Sequence, residues 1–248
     1  MGEAKQLLAL GENTLLGQVL ENVRTSQVRE IVLVLGHEAE KIKERIATEN
    51  LIVVINGCYQ QGMGTSLRAG LAALSPSVDA ALIVLADQPF IRPKTFDLLI
   101  AQYMRSSGQI LIPTYRGFRG NPVLLDRSVF SEFMALTGDI GCRAIFGNHL
   151  EGIVKEPVQD IGILLDLDCK DDFALMRDFC TGSVSEEAMI EAANSGGAPV
   201  VSRHSISSQK SMLFEQHRDR LSRLQKRLPC VIRITWRGSG CASGPCPA

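Results

Sequence analysis

Residues 30–57 read EIVLVLGHEAEKIKERIATENLIVVING. The run Glu30–Leu35 is almost entirely apolar, which is typical of a β-strand covered on both faces. A glycine ends this run, Ala39–Ala47 has helical character, and Leu51–Ile55 is a second apolar run that stops at Asn56-Gly57. A strand, a helix and another strand in this order predict parallel strands joined by a right-handed crossover.

The same alternation continues on both sides of this stretch. Before it, Thr14–Ser26 repeats leucine and valine at helical spacing. After it, we predict helices over 66–74, 93–105 and 171–179, and strands over 79–86, 109–113, 151–158 and 162–167. The pattern predicts a Rossmann-like α/β fold, with a mostly parallel sheet, helices on both faces and an active site at the carboxyl ends of the strands. Residues 114–125 are expected to form a hairpin or loop over that site.

The chain changes character after Cys180. Residues 202–211 are rich in serine, 217–227 are strongly basic, and the last dozen residues are mainly glycine, serine, cysteine and proline. We therefore assign the α/β domain to residues 1–180. Residues 181–248 are expected to be an irregular or helical tail, either a degenerate fragment of a second domain or disordered.

Composition and charge argue against several classes of function. The formal net charge is −1, with 45% hydrophobic and 21% charged residues, so broad electrostatic binding to nucleic acid or to an anionic membrane is not expected. No apolar run approaches the roughly 18 residues that span a bilayer, and charges stand where a signal peptide has its apolar core. Seven cysteines without disulfide or zinc-binding spacing favour reduced thiols in a cytoplasmic protein.

A glycine-rich segment, Gly62-Met63-Gly64-Thr65-Ser66-Leu67-Arg68, precedes a predicted helix. Thr65 or Ser66 would cap this helix. The amides at its start, with Arg68 in the first turn, would suit an anion or the polar edge of a base. A glycine-rich turn that caps an ordinary helix explains the same residues equally well.

Carboxylates follow two of the predicted strands. Asp87 comes at the carboxyl end of the strand 79–86, where it would hold a divalent cation against a triphosphate, although a simple turn aspartate has the same signature. In Asp166-Leu167-Asp168 both carboxylates share one face, because the side chains of a strand alternate. Asp168 is either a second metal ligand or the cap of the following helix.

The segment Arg119-Gly120-Asn121-Pro122-Val123 lies in the predicted hairpin. Gly120 permits close approach of a ligand to the backbone, Asn121 offers a donor and an acceptor, and Arg119 would meet a phosphate. A hairpin turn with solvated arginines is the alternative. Residues 138–143 likewise bracket an acid and a base with glycines, where a capped helix with a surface ion pair is the alternative.

Taken in order, these segments resemble the MobA-like NTP-transferase family, and most closely its molybdenum cofactor cytidylyltransferase branch. The similarity extends over about residues 1–180, and its motifs are Met1-Gly2 with Lys5, Gly62–Leu67, Leu85-Ala86-Asp87-Gln88-Pro89, Arg119–Val123, Gly138–Gly141 and Asp166–Asp168. The resemblance implies a fold of the nucleotide-diphospho-sugar transferase type and an Mg²⁺-dependent nucleotidyltransferase.

The resemblance also implies roles for the matching residues. Asp87 would be the principal Mg²⁺ ligand, Asp168 a second one, and Lys5 would contact the NTP phosphates. The base and ribose would be recognised by Gly62, Met63, Gly64, Thr65 and Ser66. A pterin-type acceptor would face Arg119, Gly120, Asn121 and Pro122. The implied reaction transfers CMP from CTP to a molybdopterin-type cofactor with release of pyrophosphate, in the service of a molybdenum hydroxylase.

The sequence departs from the family pattern at its start. Members begin with a strand and a Leu-Ala-Ala-Gly-x-Ser-x-Arg-Met-Gly-x-x-Lys loop, whereas this chain starts at the Met-Gly of that motif. The missing strand would be central, so we expect its neighbours to be exposed and the sheet to be weakened. Two alternatives stay open: transfer to another phosphorylated acceptor such as a sugar phosphate, and a non-catalytic cofactor-binding module that lacks the triphosphate loop.

Overall fold

The computed structural model describes residues 4–135, 142–167, 172, 178, 183–185 and 187–189, together with the backbone of 230–236; the side chains of 143 and 144 are not described. In chain order the strands and helices are β1 (Ala9–Leu10), β2 (Asn13–Thr14), α1 (Leu15–Arg24), β3 (Glu30–Leu35), α2 (Ala39–Arg45), β4 (Leu51–Ile55), α3 (Met63–Ala72), β5 (Ala80–Leu85), α4 (Pro93–Arg105), β6 (Ile110–Tyr115), β7 (Phe118–Arg119), β8 (Val123–Asp126), α5 (Phe130–Ala135), β9 (Ile153–Pro157) and β10 (Cys230–Trp236). Short 3-10 turns lie at Lys5–Leu7, Tyr59–Gln61, Arg127–Val129 and Ile161–Leu164, and a longer 3-10 segment, Cys142–Gly152, is interrupted at His149.

The described residues form one large sheet and one small one. The large sheet has the strand order β4-β3-β10-β5-β8-β6-β7, and β9 pairs with β6; β1 and β2 form the small sheet. The pairings β3–β4 and β6–β9 are parallel, and the others in the large sheet are antiparallel. It follows that β3, β4, β5, β6 and β9 run in one direction, while β7, β8 and β10 run in the other.

Apolar side chains cover both faces of this sheet. Along β3 the side chains alternate: Ile31, Leu33 and Leu35 join one buried cluster with α1 and α4, while Val32 and Val34 join another with α3 and α5. Each such buried aliphatic side chain contributes about 1.5–3 kcal/mol of hydrophobic free energy. This two-sided burial is why the strands read as continuous apolar runs, and it confirms the predicted α/β fold with helices on both faces.

The centre of the sheet is occupied by a strand from the far end of the chain. β10 is antiparallel to both neighbours, with Cys230 to Thr235 opposite Leu35 to Glu30 of β3, and Val231 to Trp236 opposite Leu85 to Ala80 of β5. We expected the tail to be irregular or helical, and for these residues that expectation is wrong. The expected exposure of the neighbouring strands is wrong too, because β3 and β5 are both paired with β10. The run Val-Ile-Arg-Ile-Thr (231–235) is rich in β-branched residues, which favour a strand.

Two other local predictions need correction. Gly162–Leu167 is not a strand: Ile161–Leu164 is a 3-10 turn, and the Asp160 side chain accepts a hydrogen bond from the Gly162 amide. Helix α3 begins at Met63 rather than Ser66, so neither Thr65 nor Ser66 is its N-cap. The helix that we predicted over 171–179 lies outside the described residues, apart from residues 172 and 178.

The parallel direction of β3, β4 and β5 brings the ends of these strands to one edge of the sheet. Leu35, Ile55 and Leu85 are their last residues, and the segments that follow them therefore lie along this edge. With β10 between them, β3 and β5 are two strand spacings apart, or roughly 10 Å. Within the described part of the chain, no helix combines the length and the hydropathy that crossing a membrane would require.

Candidate active site

Asp87 lies just beyond the end of β5 and is buried, with 3% of its side chain exposed. Lys5 Nζ donates a hydrogen bond to Asp87 Oδ2 across 3.2 Å. Lys5 opens the first 3-10 turn, Lys5–Leu7, in which Leu7 packs into the same apolar cluster as α1. The fold thus joins two residues that are 82 positions apart in the sequence, and both were predicted to act on a triphosphate.

Gln88 anchors the neighbouring loop to this strand end. Its side chain is buried, and Nε2 donates to Asp166 Oδ1 (2.5 Å) and to the Ile163 carbonyl oxygen (3.4 Å). The Leu167 amide donates to the Asp87 carbonyl oxygen (3.0 Å). Residues 163–167 are therefore held beside Asp87 by side-chain and main-chain hydrogen bonds. Asp168, the predicted second metal ligand, lies outside the described residues.

The glycine-rich segment lies beyond the end of β4. Gly62 has a φ of 108°, a backbone conformation that favours glycine, and the helix α3 follows directly. Met63 packs into the apolar cluster on the α3 face of the sheet, and Gly64 is buried. The segment therefore presents main-chain groups at a helix start, while its largest side chain points into the core.

Asn56 organises this segment, a role that was not predicted from the sequence. Its Nδ2 donates to Thr65 Oγ1 (2.8 Å) and Ser66 Oγ (2.9 Å), and its Oδ1 accepts from the Cys58 amide (2.9 Å). Thr65 Oγ1 in turn donates to the Gly62 carbonyl oxygen (2.8 Å). Thr65 and Ser66 are buried, so their hydroxyl groups stabilise the conformation of the loop through internal hydrogen bonds. An asparagine at the end of a buried strand was the available signal.

We predict that an Asn56→Ala variant loses about 1–3 kcal/mol of unfolding free energy, because the hydroxyl groups of Thr65 and Ser66 lose a buried hydrogen-bond partner. Amides from Cys58 to Ser66 should exchange with deuterium at least several-fold faster. Urea unfolding and hydrogen–deuterium exchange measure these effects. Unchanged exchange in this segment would show that Asn56 does not organise it.

The segment Arg119–Pro122 reaches the same neighbourhood from the hairpin. The Asn121 amide donates to the Ile163 carbonyl oxygen (3.1 Å), the oxygen that also accepts from Gln88. A Cβ atom on Gly120 would lie 2.3 Å from that oxygen, so this close approach requires glycine. The Asn121–Pro122 peptide bond is cis, and Pro122 is buried. The Arg119 guanidinium lies 5.0 Å from the centroid of the Phe146 ring.

The predicted site residues therefore lie in two groups along one edge. One group contains Lys5, Asp87 and, through Ile163, the segment Arg119–Pro122. The other is the segment Gly62–Ser66 at the end of β4, separated from β5 by β3 and β10. In the glycine-bracketed segment 138–143, residues 138–141 lie outside the described residues, as does the side chain of Arg143.

The carboxylates at this edge fit a divalent cation that is shared with phosphate oxygens. Mg²⁺ is commonly bound through one or two carboxylates together with phosphates and water. Asp87 supplies a buried carboxylate, and Asp166 lies on the adjoining loop. Among the side chains that the structure describes, no cluster of three or more His, Cys, Asp or Glu is able to hold a metal ion. A cation here would need oxygens from a bound phosphate group.

A second buried carboxylate, Asp160, holds two segments at this edge together through hydrogen bonds. Its Oδ2 accepts from the Arg92 amide (2.9 Å) and from Thr95 Oγ1 (2.5 Å), and its Oδ1 accepts from the Gly162 amide (3.1 Å). Asp160 thus caps the start of α4 and connects it to the turn Ile161–Leu164. This turn contacts Gln88, the neighbour of Asp87, through the Ile163 carbonyl oxygen. No local sequence pattern indicated this role for Asp160, because the contact joins segments 65 positions apart.

Replacing Asp160 by alanine is expected to lower the free energy of unfolding by about 2–4 kcal/mol, because three donors lose a charged acceptor in a buried position. Chemical denaturation of the two proteins measures the difference. Asp126→Ala is a useful comparison, since that aspartate accepts hydrogen bonds at the partly exposed opposite edge of the sheet. A loss below 1 kcal/mol for Asp160→Ala would contradict the capping role.

Two shifted pKa values belong to the edge opposite the site, where Asp126 faces Ala80 in the register. Burial raises the pKa of the Tyr103 phenol, and its hydrogen bond to Asp126 raises it further. Burial opposes ionisation of Asp126, but hydrogen bonds from Ser128 and Tyr103 outweigh it and lower the pKa of this carboxyl. A lowered pKa in the folded state stabilises the fold at neutral pH, and this contribution is lost as the pH falls through that pKa.

Comparisons with known proteins cover the segment that carries the site. The sequence model of a protein family, the MobA-like NTP transferase domain, matches residues 1–153 of this chain. Molybdenum cofactor cytidylyltransferase of Escherichia coli (strain K12) is 25% identical over 181 residues, which are 72% of this chain and 89% of that protein.

Solved structures share the fold. The crystal structure of Rv0371c from Mycobacterium tuberculosis H37Rv has 29% sequence identity and a TM-score of 0.63, and the match covers 71% of this chain and 89% of that chain. The structure of Rv0371c in complex with manganese has 27% identity and a TM-score of 0.60, and the match covers 71% of this chain and 92% of that chain. These similarities agree with the α/β architecture described above.

Proposed function

Because the chain belongs to the MobA-like NTP transferase family, as its motifs indicated, we propose that it transfers CMP from CTP to a molybdopterin-type cofactor. An oxygen of the acceptor's phosphate attacks the α-phosphorus of CTP. A new P–O–P linkage forms, the bond from the α-phosphorus to the bridging oxygen breaks, and pyrophosphate leaves. The contact between Lys5 and Asp87 at the end of β5 is the observation that carries this proposal, since it joins a cation and a carboxylate at one point.

The residues around this point have complementary charges for the reaction. We assign Lys5 to the phosphates of CTP, and Asp87 to a divalent cation, Mg²⁺, with Asp168 as a second ligand. Bound there, the cation would neutralise charge on the phosphates. The protein itself positions the two reactants and stabilises the transferring phosphoryl group, so no covalent intermediate with the chain is required.

The two flanking segments supply the binding surfaces in this proposal. Gly62–Ser66 binds the base and ribose mainly through its backbone, because the Thr65 and Ser66 hydroxyl groups are engaged with Asn56. Arg119–Pro122 faces the pterin-type acceptor, and its hydrogen bond to Ile163 supports a position close to Asp87. We further propose that the transferase domain spans residues 1–180 and that its product serves a molybdenum hydroxylase.

Pyrophosphate release tests the proposal. The full chain is incubated with Mg²⁺ and with CTP, GTP or UTP in parallel, and the acceptor is molybdenum-loaded molybdopterin, a sugar phosphate or none. Binding of molybdopterin is measured separately. Release with CTP that requires the acceptor is the expected result. Release that requires a sugar phosphate instead would replace the acceptor class while keeping the transferase. Binding of molybdopterin without release under any of these conditions would contradict catalysis and favour a cofactor-binding module.

A further inference from the structure

The ion pair between Lys5 and Asp87 occupies the carboxylate that a divalent cation would bind. Asp87 Oδ2 accepts a hydrogen bond from Lys5 Nζ (3.2 Å), and the exposed fractions of the two side chains are 18% for Lys5 and 3% for Asp87. A buried carboxylate is stable only when it is paired, so Lys5 satisfies the requirement that a metal ion would otherwise satisfy. The ammonium group and a divalent cation therefore compete for one carboxylate.

The other carboxylates that the structure describes at this edge, Asp160 and Asp166, are engaged in hydrogen bonds. Asp166 Oδ1 already accepts a hydrogen bond from Gln88 Nε2. Across residues 4–135 and 142–167, and the few described beyond them, no three metal-binding side chains come together. Mg²⁺ and Mn²⁺ require about six oxygen ligands, so most of these must come from a bound triphosphate and from water.

We propose that Lys5 is an exchangeable counter-ion of Asp87, and that its transfer to the triphosphate makes the binding of nucleotide and of divalent cation cooperative. The proposal rests on the proposed function, since it takes a triphosphate as the ligand. When the phosphates arrive, Lys5 moves from the carboxylate to a phosphate oxygen, and Asp87 becomes available to the cation. Because binding free energies are linked, the cation strengthens nucleotide binding by the same factor by which the nucleotide strengthens cation binding.

A substitution of Lys5 therefore has opposite effects on the two ligands. In a Lys5→Met variant, the cation loses its competitor for the Asp87 carboxylate. Mn²⁺ alone should therefore bind this variant at least about tenfold more tightly than it binds the unmodified chain. CTP should bind more weakly, because a phosphate contact is lost. The factor by which CTP strengthens Mn²⁺ binding, expected to be about 5–150-fold in the unmodified chain, should fall towards one.

The experiment measures free Mn²⁺ by electron paramagnetic resonance, with and without CTP, in the unmodified chain and in four variants, Lys5→Met, Lys41→Met, Asp87→Asn and Lys5→Arg. The Mn²⁺ that CTP binds in the absence of protein is subtracted. Lys41→Met is the matched control, since Lys41 Nζ pairs with Glu38 Oε1 at 3.0 Å on the surface and its loss changes the net charge equally. Asp87→Asn should bind Mn²⁺ weakly in every condition. Lys5→Arg retains the ion pair and should keep Mn²⁺ binding weak without CTP, which separates the charge effect from any change in folding.

The comparison of Mn²⁺ binding between the variants decides whether the exchange takes place. Tighter binding of Mn²⁺ alone to Lys5→Met, with Lys41→Met and Lys5→Arg like the unmodified chain, supports the exchange. Equal or weaker binding of Mn²⁺ alone to Lys5→Met overturns it, and CTP-dependent Mn²⁺ binding by the unmodified chain would then leave the proposed function intact. If CTP fails to increase Mn²⁺ binding to the unmodified chain, both the exchange and the assignment of CTP are contradicted.

Discussion

An Asp87→Asn variant is expected to release pyrophosphate at least about 10²–10³-fold more slowly than the unmodified chain, while it keeps its fold. The substitution retains the size of the side chain and removes only its negative charge. Lys5 then loses the negative charge of the group that it contacts at 3.2 Å, and a divalent cation loses its buried carboxylate. Turnover of CTP at saturating Mg²⁺ measures the rate, and near-ultraviolet circular dichroism reports on the tertiary fold.

The matched control for this variant is Asp79→Asn. Asp79 is exposed and immediately precedes the first residue of β5, so it lies roughly 25 Å along the same strand from Asp87. The chemical change is identical, and the rate should stay within about twofold of the unmodified chain. A full rate in Asp87→Asn would contradict the assignment of this carboxylate to catalysis. Equal losses in both variants would point to a general effect of charge.

Replacing Ile232 by proline in β10 is expected to lower the free energy of unfolding by at least about 3 kcal/mol. Ile232 lies opposite Leu33 of β3 and Val84 of β5, in the interior of a strand that is paired on both sides. Proline has no amide hydrogen, so one hydrogen bond of a central ladder is lost and the ring disturbs the pairing. Urea unfolding followed by circular dichroism measures the loss.

Two controls isolate the backbone effect in this experiment. Ile232→Val retains the amide and a β-branched side chain, and should change the unfolding free energy by less than about 1.5 kcal/mol. Ser208→Pro introduces a proline elsewhere in the tail and tests for a general effect there. In the unmodified chain, amides of 231–236 should be protected from hydrogen exchange as strongly as those of β3 and β5. Rapid exchange of these amides, with β3 and β5 still protected, would contradict the central position of β10.

Most of the fold followed from local patterns because each of those patterns has a local physical cause. The apolar residues of α1, Leu15, Leu16, Val19, Leu20 and Val23, repeat at helical spacing, and all five are buried. The Thr14 side chain accepts a hydrogen bond from the Gly17 amide, so the start of this helix agrees with the sequence prediction. The continuous apolar runs of β3 and β5 likewise reflect burial on both faces. Asp87 was predicted as a site residue for the same reason, since it ends such a run.

Contacts between distant segments had no comparable signature. Asp160 acts through Arg92 and Thr95, which only the tertiary structure brings near, and the same aspartate would be an ordinary turn former in another fold. The turn at Ile161–Leu164 replaced a predicted strand because Asp160 and the close packing of Gly162 against Phe90 set its backbone. In these cases long-range hydrogen bonds decided the local conformation.

The central strand β10 shows most clearly which features local sequence patterns specify and which features the tertiary structure decides. Periodicity specified which segments are strands and helices, because burial on one or both faces repeats along each element by itself. The position of a strand within a sheet depends instead on which exposed edges remain to be paired, and this is a property of all the strands together. The composition of 230–236 is compatible with a strand, but only the pairing of both edges with β3 and β5 places that strand at the centre of the sheet.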